Sequence, residues 1–229
     1  MATSKKQKVV DIEIPALELQ IIELRLIGKG ILVTNNAKHL KETLAKAQGI
    51  KGVTPEISPG GRKKKREMRD PEFEYNRARY RINDDLDGFP AFRVKEALVD
   101  TAYTFADVPK NIVRRALFVQ PEYDGWLVPI EHDQFPPKMN SGTERVGGQG
   151  GRPGAPDLRW RPEYNNWSIP IRIEYETNFL NASQIINLVA KAGFHTGIGE
   201  HRPEKQGGTW GTFGVMSEDE YQTTLKKTG

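Results

Sequence analysis

The sequence contains no cysteine among its 229 residues. A disulfide framework and a cysteine-based metal site are therefore excluded, and the composition suits a reducing compartment. Long apolar runs are missing too, since no stretch approaches the roughly 18 residues needed to cross a bilayer. The first residues are charged and lack the apolar segment of a secretory signal. We therefore expect a cytoplasmic protein with no membrane partner.

Apolar residues are scarce throughout the chain. They make up 37% of the sequence, whereas 28% of the residues are charged, and this apolar content is low for a compact protein. We therefore expect a single domain over residues 1–229 that carries solvated insertions as well as a core. The predicted insertions are a basic segment at about residues 50–75 and a flexible, Gly/Pro-rich loop at about residues 138–158.

Ligands for a metal ion are few and scattered. The sequence has only four histidines, and no two of them have the spacing of a ligand pair: His39, His132, His195 and His201. The aspartates of the segment NDDLDG read as part of an ordinary turn. We therefore expect no metal site and no cofactor.

Positive charge is concentrated in one segment. Nine cations and four anions lie between Arg62 and Arg81, so this segment carries +5 while the whole chain carries +4. Such concentration is typical of a protein that binds a polyanion, although a solvated charge run has the same composition. The candidate phosphate-binding residues of this segment are Arg62, Lys63, Lys64, Lys65, Arg66, Arg77, Arg79 and Arg81.

Residues 75–82 alternate in a way that leaves both a strand and a helix open. Tyr75, Arg77, Arg79 and Arg81 share one parity. In a strand they would place three guanidinium groups and a tyrosine on one face, which suits a phosphate chain with bases stacked beside it. In a helix the arginines would scatter, and the argument would weaken.

Hydrophobic periodicity predicts the main elements. Strands are expected at Leu17–Ile27, with a bulge or burial on both faces, and at Ile169–Tyr175. Helices are expected from about Ala37 to Gln48, after Pro90 in FRVKEALVDTA, and as a helical turn over Val108–Arg115. Ala116–Gln120 and Trp126–Ile130 read as a hairpin with its turn near Asp124-Gly125.

The stretch Asn181–Met216 predicts a helix, a glycine-rich basic loop and a short strand. Asn181 is a candidate N-cap, and Gly193 is placed where a helix ends. Glycine lets backbone N–H groups approach an anion closely, although these glycines would equally serve a long turn with unusual backbone angles. Glycines, cations and aromatic rings are interleaved here: Gly197, Gly199, His201, Arg202, Lys205, Gly207, Gly208, Trp210 and Gly211.

The order of the elements predicts an α+β fold. A strand, a helix, a pair of strands, a further strand, a helix and a final strand are expected along the chain. This order favours a ferredoxin-like or RRM-like core with an antiparallel sheet and helices on one face, interrupted by flexible insertions.

The segment GFHTGIGEHRPEKQGGTWGTFGV resembles the glycine-rich loop of the RAMP superfamily, the RNA-binding proteins of CRISPR complexes. Gly88–Ala102 resembles a helix opening of the CRISPR backbone subunits, and the combination is similar to a group of uncharacterised bacteriophage proteins. The resemblance implies a ferredoxin-like unit whose glycine loop lies near bound nucleic acid. It also implies that the two insertions contact a guide strand, and that a phage-encoded protein would act in the host cytoplasm.

We therefore predict a non-enzymatic protein that binds single-stranded RNA or DNA and assembles into a homo-oligomeric filament or ring. Further predicted contacts are Arg159, Trp160 and Arg161, with Trp167 as another exposed ring. One alternative is a metal-independent endoribonuclease, with His201 or His195 as general base and Lys205 or Arg202 stabilising charge. Another is a module that binds an acidic protein, such as a defence inhibitor.

Overall fold

The chain folds into antiparallel sheets with helices packed against them. The computed structural model describes residues 15–36, 70–146 and 155–228. The elements in these ranges are β1 (Leu19–Gly28), β2 (Leu32–Val33), α1 (Pro71–Ala78), β3 (Asp87–Pro90), α2 (Ala91–Ala106), α3 (Lys110–Ala116), β4 (Leu117–Gln120), β5 (Leu127–Ile130), β6 (Lys138–Val146), β7 (Ala155–Tyr164), β8 (Ser168–Glu176), α4 (Ala182–His195), α5 (Pro203–Gln206), β9 (Phe213–Ser217) and α6 (Glu218–Thr228).

The largest sheet has the strand order β4-β8-β1-β9, and every neighbouring pair is antiparallel. Helix α2 precedes β4, and α4 lies between β8 and β9, so these strands and helices follow the order β–α–β–β–α–β. Smaller sheets join β2, β7 and β6, and β3 with β5. The predicted α+β class is therefore confirmed.

One face of the main sheet and two helices share the principal core. The apolar stripes of α2 and α4 pack on the buried side chains of β1 and β8, which alternate as a half-buried strand requires. These core residues are Leu24, Leu26, Val94, Leu98, Ile169, Ile171, Ile173, Ile185 and Val189.

The opposite face of the sheet is partly covered by α6, so the expectation of helices on one face only is corrected. Arg25 of β1 has the opposite parity to Leu24 and Leu26, yet it is buried. Its guanidinium bonds bidentately to Glu218 of α6, at 2.8 and 2.9 Å, and also pairs with Glu131. The ring of Tyr221 lies 4.1 Å from the guanidinium carbon. β1 pairs with β8 in continuous register, so the expected bulge is absent. Burial on both faces is limited to the stretch around Arg25, since the apolar residues Leu19 and Ile21 on the same face as Arg25 are exposed.

The hairpin predicted for Ala116–Gln120 and Trp126–Ile130 is wrong. β4 pairs with β8, and β5 pairs with β3, so these two strands do not form a hairpin with each other. A tight turn is present at Asp124 and Gly125, where φ is 51° and 69°, but it closes only on Tyr123 and Leu127. β5 is buried along its whole length, because it is the strand that packs β3 into the core.

The segment predicted as a flexible loop, about residues 138–158, is largely a hairpin. β6 and β7 pair over nine positions, from Lys138↔Glu163 to Val146↔Ala155. β7 also pairs with β2, and Tyr75 of α1 donates a hydrogen bond to the Pro137 carbonyl, so the base of this hairpin is held on two sides. Residues 147–154 lie outside the described part.

Residues 71–78 form a helix, so of the two alternatives for the segment around Arg77 the helix is the one found, and the strand face of aligned arginines is not formed. Asp70 caps α1 by accepting a hydrogen bond from the Glu72 N–H at 2.9 Å, and Pro71 occupies the first turn. These are strong helix-start signals, and they outweigh the short alternation that followed them. The helix predicted near residues 37–48 and most of the basic insertion lie outside the described residues.

Helix α4 begins as predicted but runs past its expected end. Asn181 and Gln184 form a reciprocal capping box, with bonds of 2.9 and 3.0 Å. Gly193 is not the helix stop. It lies inside α4, where a Cβ would collide with the carbonyl oxygen and ring of Phe213 on β9. The glycine therefore permits close packing of the helix on the strand.

We expect Gly193→Ala to lower the free energy of unfolding by about 1–3 kcal/mol, because the collision with Phe213 outweighs the gain of about 1 kcal/mol in helix propensity. Urea denaturation measures the change. Gly142→Ala is the control, since the nearest heavy atom to its new Cβ lies at 3.8 Å. A Gly193→Ala protein more stable than wild type would contradict the packing assigned to Gly193.

The Arg25 contact predicts an acid-sensitive attachment of α6. The hydrogen bond from Arg25 lowers the pKa of Glu218 below its ordinary 4.5. A lowered folded-state pKa means that the stabilisation is complete above about pH 4.5 and is lost as pH falls through the folded value. We expect Glu218→Gln to destabilise the protein at neutral pH and the difference from wild type to shrink on acidification. Chemical denaturation across pH measures this, with Asp219→Asn in the same helical turn as control. A pH-independent difference would contradict the assignment.

Candidate functional site

A groove of about 670 Å³ lies between the first turns of α2 and the glycine-rich loop that follows α4. Its volume falls in the range of small-ligand sites, about 300–1,000 Å³. Thr34, Asn35 and Tyr80 contribute to it from the chain after β2 and after α1. The groove is thus assembled from segments that lie far apart in the sequence.

Backbone contacts fix the glycine-rich wall of this groove. The Glu200 N–H donates to the Val33 carbonyl at 2.9 Å, and the Gly211 N–H donates to the Ile31 carbonyl at 2.7 Å. Gly199 has φ of 81°, and a Cβ there would lie 2.6 Å from the Val33 oxygen. Any other residue would be strained and would push the loop away from β2. The glycines predicted near a ligand therefore first serve the packing of the loop.

Cations outnumber carboxylates along the groove. The basic residues are Arg93, Lys95, Arg114, Arg202 and Lys205, and the acidic residues are Glu96, Asp100 and Glu200. Arg114 and Lys205 have no ion pair with any described residue, whereas Arg202 pairs with Glu204 at 2.8 Å. Burial and the neighbouring Arg114 charge lower the pKa of Lys95, whose ammonium donates to the Arg114 carbonyl at 2.7 Å. The exposed charges therefore favour an anionic ligand.

An aromatic cluster borders the same groove. Phe92 stacks on Trp126 with ring centres 6.5 Å apart, and Tyr80 meets Trp126 edge-on at 5.5 Å. Phe92 remains 45% exposed and lines the groove together with Tyr80. A supported, exposed ring beside unpaired cations can hold a base while the cations hold phosphate.

The structure brings some of the predicted residues to this groove. Gly197, Gly199, Arg202 and Lys205 line it. Arg161 of β7 is buried and is not part of the lining, but it pairs with the lining residue Glu200 at 3.4 Å. Arg159 and Trp160 are half-buried on the same strand.

Other predicted residues of the loop and of the end of α4 are not part of the groove lining. His201 has φ of 54° and packs edge-on against Trp210, with ring centres 4.6 Å apart. His195 lies against Phe105 at 4.1 Å. Gly207 and Gly208 belong to the turn after α5 rather than to the groove lining.

The arginine-rich segment divides into described and undescribed parts. The run Arg62, Lys63, Lys64, Lys65 and Arg66 lies outside the described residues. Arg77 pairs with Glu74 at 3.0 Å. Arg81 is exposed, and its backbone forms an isolated antiparallel β-bridge with Asp87. None of the three described arginines lines the groove.

Arg79 is a structural residue, which corrects its assignment as a phosphate contact. Its side chain is 2% exposed and donates to Asp87 at 2.8 Å, and Tyr164 donates to the same Asp87 oxygen at 2.9 Å. Burial and the adjacent Asp87 carboxylate raise the pKa of Tyr164 well above its ordinary value. Arg79 follows the last residue of α1 with extended backbone angles, and its charge is neutralised by Asp87 within the fold.

Trp167 is also a core residue and not an exposed ring. It is 1% exposed, and its indole N–H donates to the Gly30 carbonyl at 2.7 Å. Its ring meets Phe213 edge-on at 6.3 Å. The asparagine turn before it places Trp167 at the start of β8 on the core side, which excludes stacking with a ligand.

Several groove residues were missed from the sequence. Phe92, Arg93 and Arg114 fall outside the apolar stripe of their helices, which was a usable sign of a surface position. Nothing in the sequence indicated that this surface would face the glycine loop. Asn35 was missed because it follows a strand of only two residues and carries no local pattern of its own.

No protein-family model matches this chain, and a comparison with curated proteins found no significant match. Within residues 15–36, 70–146 and 155–228, no group of three or more metal-ligating side chains is gathered in one place. Among the helices of those ranges, none combines the length and the apolarity that crossing a bilayer requires.

We expect Arg79→Met to lower the free energy of unfolding by about 3–5 kcal/mol, because it leaves Asp87 buried without its partner. Thermal or urea denaturation measures the loss. Arg77→Met, which removes a more exposed pair with Glu74, should cost about 0–1 kcal/mol. Equal effects of the two substitutions would contradict the structural role of Arg79.

Proposed function

We propose that this protein binds single-stranded nucleic acid without cleaving it, and that subunits assemble side by side along the strand. The single observation that carries the proposal is the groove in which exposed cations and a supported aromatic ring lie together. Phosphates would contact Arg93, Arg114 and Lys205, and a base would stack on Phe92. Such stacking contributes about 1–3 kcal/mol per base.

The connectivity of the main sheet supports the RAMP-like part of the proposal. The order β–α–β–β–α–β, with its first strand between the third and fourth, is the order of a ferredoxin-like unit. The glycine-rich loop follows the second helix of this unit and precedes its last strand. That position agrees with the resemblance to RAMP proteins. The same resemblance is the reason for including RNA among the proposed ligands and for proposing side-by-side assembly.

A metal-independent endoribonuclease has less support. Its general base would be His201, which packs on Trp210 away from the described groove lining. Metal-free cleavage of an RNA oligomer that disappears in His201→Ala would favour the enzyme over the binding protein. A second alternative is that the same cations bind an acidic protein partner. In that case the protein would not bind oligonucleotides.

We expect the affinity of the wild-type protein for a single-stranded oligonucleotide to fall as salt rises, because bound cations release counterions. Each phosphate neutralised contributes a slope of about −0.7 in log K against log salt. Arg114→Ala/Lys205→Ala should weaken binding and reduce the magnitude of this slope by about 1.4. Fluorescence anisotropy over a salt series measures both quantities, and competition between matched RNA and DNA oligomers determines the preferred sugar.

Arg172→Ala is the matched control for charge. Arg172 is exposed on the opposite face of the sheet, where it pairs with Glu23 at 3.2 Å. Its loss should leave the slope unchanged. A salt-independent wild-type affinity, or an equal effect of Arg172→Ala and the double substitution, would overturn the proposed groove.

A further inference from the structure

Asn35 contributes a neutral amide to the groove lining, and its backbone is held by a neighbouring residue. Asn35 is half-buried and lines the groove, and its backbone carbonyl accepts a hydrogen bond from the Tyr80 hydroxyl at 2.9 Å. Within the described residues, the side-chain amide of Asn35 has no hydrogen-bond partner. It therefore offers a donor and an acceptor, side by side, to whatever occupies the groove.

The aromatic ring on the groove is fixed as well. Phe92 is backed by Trp126, with the two rings only 21° from parallel, and the edge contact with Tyr80 holds Trp126 in turn. Tyr80 thus supports both the ring system and the backbone of Asn35. One residue therefore supports both the stacking ring and the backbone from which the Asn35 amide extends, which lowers the ordering that a ligand must impose.

Charge is distributed unevenly between the rim and the floor. Arg93, Arg114 and Lys205 are exposed, whereas Asn35, Phe89 and Thr34 are more enclosed and uncharged. Phosphates are strongly hydrated anions and suit the rim. A base is flat, mostly uncharged and rich in hydrogen-bonding edges, so it suits the floor.

We propose that the groove admits one unpaired base and selects adenine through Asn35. This inference rests on the proposed function and adds a base-reading position to it. The donor and acceptor of an asparagine amide match N7 and N6 of adenine, and a purine presents a larger ring to Phe92 than a pyrimidine does. A well-placed bidentate pair of this kind discriminates between bases by roughly 5- to 150-fold.

The test compares short thymidine oligomers that differ only at one central position, which carries thymine, adenine, guanine or cytosine. Anisotropy titrations at one salt concentration are made with both deoxyribose and ribose backbones. The wild-type protein is expected to bind the adenine-containing oligomer roughly 5- to 150-fold more tightly than the all-thymine oligomer. Equal affinity for all four oligomers would overturn the base selection and leave the proposed function intact, whereas no binding of any oligomer would overturn both.

Substitutions at Asn35 separate base reading from phosphate binding. Asn35→Ala should abolish the preference for adenine while the salt dependence stays that of wild type. Asn35→Asp should shift the preference from adenine toward cytosine, because a carboxylate only accepts and can pair with the N4 amino group of cytosine. Asn187→Ala, on the exposed side of α4, is the control and should keep the adenine preference. An adenine preference that survives in Asn35→Ala, or one that is unchanged in Asn35→Asp, would overturn the role of Asn35.

Discussion

The close backbone contact between the glycine-rich loop and the strand after β1 determines where the groove lies. Two N–H groups of the loop, from Glu200 and Gly211, donate to carbonyl oxygens of residues 31 and 33. A Cβ at Gly211 would collide with the Ile198 carbonyl, and one at Gly199 would collide with Val33. The loop is therefore held against β2 by backbone hydrogen bonds, although its sequence does not alternate like that of a strand. Its exposed side becomes a rigid wall that faces α2.

Buried and exposed cations have separate tasks in this fold. Arg25, Arg79 and Arg161 are each buried and paired with carboxylates, and the pairs of Arg25 and Arg161 join elements that are distant in sequence. A buried charge must be paired because desolvation is costly, so these arginines are committed to the fold. Arg93, Arg114 and Lys205 are exposed. Arg93 pairs with Glu96 at 2.8 Å, whereas Arg114 and Lys205 have no ion pair with a described residue. Local concentration of arginine in the sequence therefore overstates the binding surface, since part of it stabilises the core.

Periodicity predicted the elements whose apolar face is long. The strands β1 and β8 and the helices α2 and α4 lie where the alternation or the helical repeat placed them. The hairpin of β6 and β7 was missed because glycine and proline at its tip outweighed the alternation of Leu158, Trp160 and Pro162 with charged neighbours. The pairing of β4 with β8 is a tertiary choice that a nearby turn does not determine.

Sequence reasoning identified only part of the groove, because it detects local patterns and not tertiary packing. Gly197, Gly199, Arg202 and Lys205 form one local segment, and a local pattern of glycine and cations identifies it. Asn35, Phe92 and Arg114 come from three separate segments of the chain. Each of them is unremarkable in its own segment, and only the packing of α2 against the loop after α4 brings them together.

The two faces of the main sheet differ in their suitability for nucleic acid. RRM domains bind RNA on the open face of the sheet through exposed aromatic residues. In this protein, the corresponding face is the one partly covered by α6. Its described residues include more carboxylates than cations, with Glu23, Glu174 and Glu176 around Arg172. Its central cation, Arg25, is already neutralised by Glu131 and Glu218 beneath α6. The polyanion of the proposed function would be repelled there, so the groove proposed to bind it lies on a different side of the sheet from the RNA-binding face of an RRM.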